Sequence, residues 1–281
     1  MALECVGKPM SSAPILDIRH LSVEFKGDSG LVRAVNDISF QVQRGQTLGI
    51  VGESGSGKSV TSLALMGLIP NPPGKVTQGE IWLQMGEGEE TRVDLRSRSP
   101  QEMQQIRGGR ISMIFQEPLS SLNPVYTCGF QLIEAIRQHR AMSPTAAEQE
   151  AIARLQEVKL LPSDEVLQAN VRAAQPTLSQ KLIDQAVVQR KAAILNRYPH
   201  ELSGGQIQRV MIAMAIACNP AVLIADEPTT ALDVTVQAQI LDLLRELRDR
   251  RGKSMIFITH DLGIIAEIAD QVGVLYLGQF V

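Results

Sequence analysis

Long apolar runs are missing from these 281 residues: the longest, Val210 to Cys218, covers nine positions, whereas a membrane-spanning helix needs about 20. No bilayer crossing is therefore expected. Cysteine is scarce. Cys5, Cys128 and Cys218 are scattered without metal-binding or redox spacing, which points to a reducing compartment and no disulfide framework. The start, MALECVGKPMSSAP, has no basic region followed by an apolar core and a cleavage site, so no secretory leader is expected. Charge is nearly balanced: 27 bases against 30 acids leave −3, which argues against holding nucleic acid by bulk charge, although a local basic patch stays compatible. Internal repeats, low-complexity tracts and sustained heptads are absent too. What remains is 44% apolar and 20% charged, too rich in Leu, Ile, Val and Ala for disorder, with room for one large domain or two small ones. A globular, cytosolic chain is expected, and its chemistry is still open.

Residues 1–14 read as a flexible lead. ILDIRHLSVEF and VRAVNDISFQV are β-branched and partly alternating, with turn-rich Lys26–Gly30 between them, and residues 76–95 look like a second hairpin. Thr47–Val51 is a short apolar strand running into the glycine-rich Gly52–Ser59; VTSLALMGLI then has helical spacing. Further strand-like runs stand at 111–115, 221–225, 254–259 and 272–277. From about 129 to 200 the chain is helical and polar, with breaks near Pro144, Pro162 and Pro176. Strands alternating with helices predict an α/β fold with a mainly parallel sheet. The hairpins predict an antiparallel side sheet, and residues of roughly 118–206 an inserted helical subdomain.

Gly52-Glu53-Ser54-Gly55-Ser56-Gly57-Lys58-Ser59 fits strand–GxxxxGK[ST]–helix, the phosphate loop of P-loop NTPases. Glycines let successive N–H groups curl towards phosphate oxygens, and the following helix adds its positive end. Lys58 is placed to reach the β- and γ-phosphates of a nucleotide, and the Ser59 hydroxyl to bind Mg²⁺. Four fixed positions match by chance in roughly one chain of this length in a hundred, and the flanking strand and helix lower that further. Nucleotide binding follows; the reaction does not yet.

Ala221–Ala225 is an apolar strand ending in Asp226 and Glu227. Alone, such an ending is commonplace. Beside a phosphate loop, Asp226 is assigned to the metal and Glu227 to deprotonating the attacking water. Upstream stands Leu202-Ser203-Gly204-Gly205-Gln206, opening the apolar segment IQRVMIAMAIAC. A serine and two glycines at the start of a buried helix make a second anion site. One ATP has a single γ-phosphate, so two such sites imply that each completes the other across a dimer.

LSGGQ with a phosphate loop before it and an acid-ended strand after it resembles an ATP-binding-cassette (ABC) ATPase, with a RecA-like core, over residues 15–281. The resemblance implies further roles. Phe115-Gln116 is similar to the Q-loop, Gln116 touching Mg²⁺ and the attacking water and sensing a transmembrane partner. Ala231-Leu232-Asp233 is similar to the D-loop, Asp233 facing the opposite subunit. Ile258-Thr259-His260-Asp261 is similar to the switch region, His260 meeting the γ-phosphate, and Phe25 stands where the family often stacks an aromatic ring under adenine. Each residue has a plain alternative: His260 structural, Gln116 a strand-end amide, Phe25 core. Their order and spacing carry the inference.

GESGSGKSVTSLALMGL, MIFQEPLSSLNP, RYPHELSGGQIQRVMIAMAIACNPAVLIADEPTTALDVTVQAQI and FITHDLGIIAEIAD resemble the ATPase subunits of bacterial dipeptide/oligopeptide importers, a branch shared with nickel and glutathione importers. That implies a peripheral ATPase at the cytoplasmic face of the inner membrane, paired head-to-tail with a like or related subunit. Two transmembrane permease subunits, and through them an extracytoplasmic solute-binding protein, complete the assembly; nucleic acid is not expected. Two departures stand out. Leu161–Asn196 is longer than the family's usual connector and predicts an extra helical hairpin broken near Pro176. The chain also stops at Gln279-Phe280-Val281, without the branch's C-terminal extension, as a truncated product, a fragment or the first half of a two-cassette chain would. The rival readings are a soluble ABC ATPase acting on ribosomes or DNA, and an inactive fragment or non-hydrolysing regulator. Only 168 residues separate Lys58 from Asp226, too few for the long coiled coil of chromosome-type members. Intact Lys58, Asp226, Glu227 and His260 speak against a regulator.

Overall fold

The structure, a computed structural model, describes residues 13–27, 30–86 and 91–281, with the backbone alone at Leu119. The expected lead thus lies outside the described residues up to position 12. Two compact units form: residues 1–116, 219–231 and 237–281 make one, and 117–218 with 232–236 the other.

The first unit opens with β1 (Leu16–Gly27), β2 (Gly30–Val42), β3 (Thr47–Val51), α1 (Lys58–Leu65), β4 (Gly74–Gln84), β5 (Arg92–Asp94), α2 (Pro100–Ile106) and β6 (Ile111–Ile114). The helical unit follows with α3 (Pro118–Ser121), α4 (Cys128–His139), α5 (Pro144–Glu157), α6 (Asp164–Ala174), α7 (Gln180–Leu195) and α8 (Gly204–Ile216). The chain then returns through β7 (Val222–Asp226), α9 (Val234–Arg251), β8 (Ser254–Thr259), α10 (Leu262–Ile268), β9 (Gln271–Tyr276) and β10 (Gln279–Phe280).

Both expected sheets are present in the first unit. One is antiparallel, in the order β2-β1-β4-β5; the other runs β10-β9-β3-β8-β7-β6 and is parallel except for β10 against β9. Every residue of β3, β6, β7 and β8 is buried, which is why these strands read as unbroken apolar runs rather than alternating ones. β9, next to the edge, alternates: Gly273 and Leu275 point inward while Val272, Val274 and Tyr276 are exposed. Leu16, Ile18, Leu21 and Val23 of β1 join Ile50, Ile224, Ile256 and Ile258 of the parallel sheet in one core cluster, so the side sheet packs on the central one.

The helical unit is punctuated by its serines and prolines. Thr127, Ser143 and Ser163 cap α4, α5 and α6, each hydroxyl accepting a first-turn N–H. Pro144 is the first residue of α5, where its missing N–H is harmless. The predicted hairpin is α6 and α7, turning through 175–179 around Pro176; its buried residues are Leu167, Val171, Ile183, Val187 and Leu195, the last against Gly129 of α4. Lys191 ties the pair by an ion pair to Asp164 at 2.6 Å. The unit runs past residue 206 because the buried stripe of α8, Ile207 to Ile216, packs on α4 and α5.

Candidate functional site

In the first unit, four neighbouring parallel strands end on the same edge of the sheet. β3 delivers the phosphate loop, β8 delivers His260, β7 delivers Asp226 and Glu227, and β6 leads into Gln116. Ligands of open α/β sheets bind outside the carboxyl ends of the strands.

Between β3 and α1 the backbone curls tightly. Gly57, the residue preceding α1, has φ +104°, and a Cβ there would fall on the Ala34 carbonyl oxygen; only glycine fits. The loop is braced from β9–β10, where Gly278 N–H donates to the Ser56 carbonyl at 3.0 Å. Lys58 is 5% exposed, and its ammonium donates to the Gly52 and Glu53 carbonyls at 2.7 and 2.8 Å. That arching bond holds a positive charge over the turn whose N–H groups can receive phosphate oxygens.

One residue on, the Ser59 hydroxyl donates to Asp226 Oδ1 at 3.2 Å, joining the phosphate loop to the acid-ended strand. Asp226 is 2% exposed; burial pushes its carboxyl up to about 6, the Glu227 charge adds to this, and the Ser59 hydrogen bond and the Lys58 charge oppose it. A hydroxyl and a buried carboxylate are hard oxygen donors and fit Mg²⁺. Among the described residues no cluster of three or more His, Cys, Asp or Glu side chains could cage a metal, and Mg²⁺ is usually held by one or two protein oxygens with phosphate and water supplying the rest.

Glu227 lies in the left-handed region at φ +45°, uncommon for a residue with a side chain, with its N–H held by the Ile258 carbonyl at 2.9 Å. Its Oε2 accepts from Thr230 Oγ1 at 2.9 Å and lies 3.4 Å from both Gln116 Nε2 and His260 Nδ1. Gln116, Glu227 and His260, far apart in sequence, therefore meet at one carboxylate. His260 remains 62% exposed at its side chain, open to an incoming group. Thr230 is the one participant that sequence reasoning missed. Its only signal is a hydroxyl three residues after the second acid.

Phe25 sits in β1, opposite Val32 of β2 and Gly74 of β4, with its ring half-buried against Gly74 and Ile69.

In the helical unit, Ser203 caps α8 through a reciprocal pair: its hydroxyl accepts the Gln206 N–H at 3.4 Å and its own N–H donates to Gln206 Oε1 at 3.1 Å. Gly204 and Gly205 form the first turn, whose N–H groups have no partner within a helix. Asp233 caps the start of α9, accepting the Val236 N–H at 2.9 Å.

Several known proteins share this organisation. The chain is 45% identical over 272 residues to the glutathione import ATP-binding protein GsiA of Salmonella typhimurium LT2 and to that of Escherichia coli K12, covering 97% of this chain and 39% of each relative. It thus spans about two fifths of the length of those curated relatives. Among solved structures, the dimeric bacterial ABC transporter cassette MJ0796 aligns with a TM-score of 0.72 at 25% identity, over 94% of this chain and 96% of that one. The cbiO1 protein of Clostridium perfringens, part of the ABC transporter complex cbiONQ, shares the fold with a TM-score of 0.68 at 22% identity, over 95% and 87%. The fold is that of the ABC ATPase cassettes, a P-loop NTPase core with an antiparallel side sheet and helices. Residues 35–230 match the ABC transporter family, and the chain belongs to it.

Proposed function

We propose that this chain is the ATP-hydrolysing, nucleotide-binding subunit that powers an ABC importer for peptides or related small solutes. The observation that carries the proposal is the Ser59–Asp226 hydrogen bond, which sets a phosphate-binding turn and a metal-binding acid side by side although 167 residues separate them. In this reading the N–H groups of Gly52–Ser59 and the Lys58 ammonium grip the β- and γ-phosphates, and the Phe25 ring stacks under the adenine. Ser59, Asp226 and Gln116 hold Mg²⁺, which when bound neutralises charge on the phosphate oxygens. Glu227 takes a proton from the water that attacks the γ-phosphorus, Gln116 orients that water, and His260 donates to the γ-phosphate.

Ser203, Gly204, Gly205 and Gln206, with Asp233, act on the nucleotide of a second ATPase subunit, like or related, in a head-to-tail pair. Permease subunits and an extracytoplasmic solute-binding protein complete the assembly at the cytoplasmic face of the membrane. The relatives' names as glutathione import proteins support the cargo class. Among the described residues no helix is long and apolar enough to cross a membrane, which fits a peripheral subunit.

The test is Glu227→Gln. Removal of a general base lowers turnover roughly 10²–10⁴-fold while ATP binding persists and an ATP-bound dimer accumulates in gel filtration. Normal hydrolysis by this variant refutes the base assignment. Co-purification with transmembrane permease subunits tests the assembly, and failure of the chain to associate with any membrane protein in its native cells overturns the importer reading.

A further inference from the structure

Glu227 Oε2 is surrounded by three groups, yet only one contact has ordinary hydrogen-bond length. Gln116 and His260 stand at 3.4 Å, near the limit at which such a bond has strength, whereas Thr230 Oγ1 donates at 2.9 Å. Among the described residues nothing donates to Oε1. The carboxylate is therefore held by one oxygen and open at the other. The backbone supports the same geometry: Thr230 N–H donates to the Glu227 carbonyl at 3.2 Å, closing the turn that carries the left-handed Glu227.

From this we propose that Thr230 is a positioning residue for the hydrolytic step: its hydroxyl anchors Glu227 Oε2 and so presents Oε1 to the attacking water. The inference rests on the proposed role of Glu227 as base. Proton transfer needs the acceptor oxygen within hydrogen-bond reach of the water, and a carboxylate free to rotate about its last torsion spends much of its time misaligned. The Thr230 bond, charge-assisted, removes that freedom. Oε1 then receives the water proton as the water oxygen bonds to the γ-phosphorus and the bond from that phosphorus to the β–γ bridging oxygen breaks.

A purely structural role fits the residue poorly. Thr230 is exposed, and its neighbour Thr229 is the buried one. Replacing the hydroxyl by a methyl in Thr230→Val leaves the shape nearly unchanged and removes the donor.

The experiment compares Thr230→Val, Thr230→Ser and Glu227→Gln in the full chain, reading ATPase kcat and KM, ATP affinity and melting temperature. Thr230→Val is expected to lower kcat by roughly ten-fold or more, the range for losing a hydrogen bond to a charged group. KM and ATP affinity should stay within about two-fold, and the melting temperature should not change. Thr230→Ser, which keeps the donor, should restore kcat to near wild type. Unchanged kcat in Thr230→Val with Glu227→Gln inactive overturns this proposal alone. Full turnover in Glu227→Gln overturns the reading beneath it. Equal losses in the Val and Ser variants, or a loss confined to KM, also refute the positioning role.

Discussion

Replacing Asp226 by asparagine should stabilise the protein while, on the proposed function, weakening its hold on Mg²⁺. Asp226 is 2% exposed and its carboxyl is pushed from 3.8 up to about 6. A group that holds its proton more tightly in the folded chain than in the unfolded one makes folding less favourable as pH rises between those two values. Well below its ordinary value of 3.8, under about pH 3, the carboxyl is neutral in both states and contributes no difference. From about pH 3 to 6 the unfolded chain ionises first and stability falls, and above about pH 7 the deficit is complete. A rise of this size corresponds to about 3 kcal/mol, taken as a ceiling because the fold can relax around the charge. Asparagine is neutral at every pH, and its Oδ1 can still accept from Ser59. The gain in melting temperature should therefore be about a third of its plateau at pH 4.5 and approach that plateau by pH 7.5, of order 6 to 12 °C at most for a unit of this size. The assay is a thermal melt of both proteins from pH 4.5 to 8 in a chelator without nucleotide, since a bound cation neutralises the charge. A gain that is flat across this range, or an asparagine variant less stable at pH 8, refutes the assignment of the penalty to buried charge.

Two further substitutions probe the phosphate loop and the start of α8. Lys58→Ala removes the ammonium bonded to the Gly52 and Glu53 carbonyls; MgATP affinity measured by calorimetry should fall at least ten-fold, and unchanged affinity contradicts the phosphate role. Gly205→Ala places a methyl 2.6 Å from Val236 Cγ1, so despite the better helix propensity of alanine it should destabilise by about 1–3 kcal/mol. Adding Val236→Ala should recover most of that loss in a chemical denaturation series, and no recovery shows that the contact is not the cause.

How much of this was visible in the chain follows from which interactions are local. The buried strands were legible because β3, β6, β7 and β8 have apolar residues on both faces, and the hairpin α6–α7 because a helix-favouring, Ala/Gln-rich stretch is broken near Pro162 and Pro176. Strand order was not legible. β8, late in the chain, lies between β3 and β7, and pairing between distant segments leaves no periodic trace. At the site, the phosphate loop shows in sequence because its demands are on consecutive residues: glycine where φ is positive, then lysine and a hydroxyl. The convergence of Gln116, Thr230 and His260 on one oxygen of Glu227 is long-range for Gln116 and His260, and for Thr230 it depends on the left-handed turn at Glu227. In Thr229-Thr230 the sequence offers two equal hydroxyls, which the fold distinguishes by burying the first and bonding the second to Glu227.

The two glycines of the α8 start then separate by cause. Gly205 is required by its own chain, because Val236 occupies the space a Cβ would take. Gly204 is not: it is exposed, its φ is unexceptional, and a Cβ would meet Leu232 Cδ2 at 3.6 Å, ordinary contact. The Ser203 hydroxyl accepts the Gln206 N–H and the Gln206 side chain accepts the Ser203 N–H, so the first-turn N–H groups left for an anion are those of Gly204 and Gly205, and the missing side chain at Gly204 would let a bulky anion approach them closely. Internal packing accounts for one glycine and leaves the other without a reason inside this subunit. In the proposed head-to-tail pair, a nucleotide phosphate held by the second ATPase subunit would supply that reason.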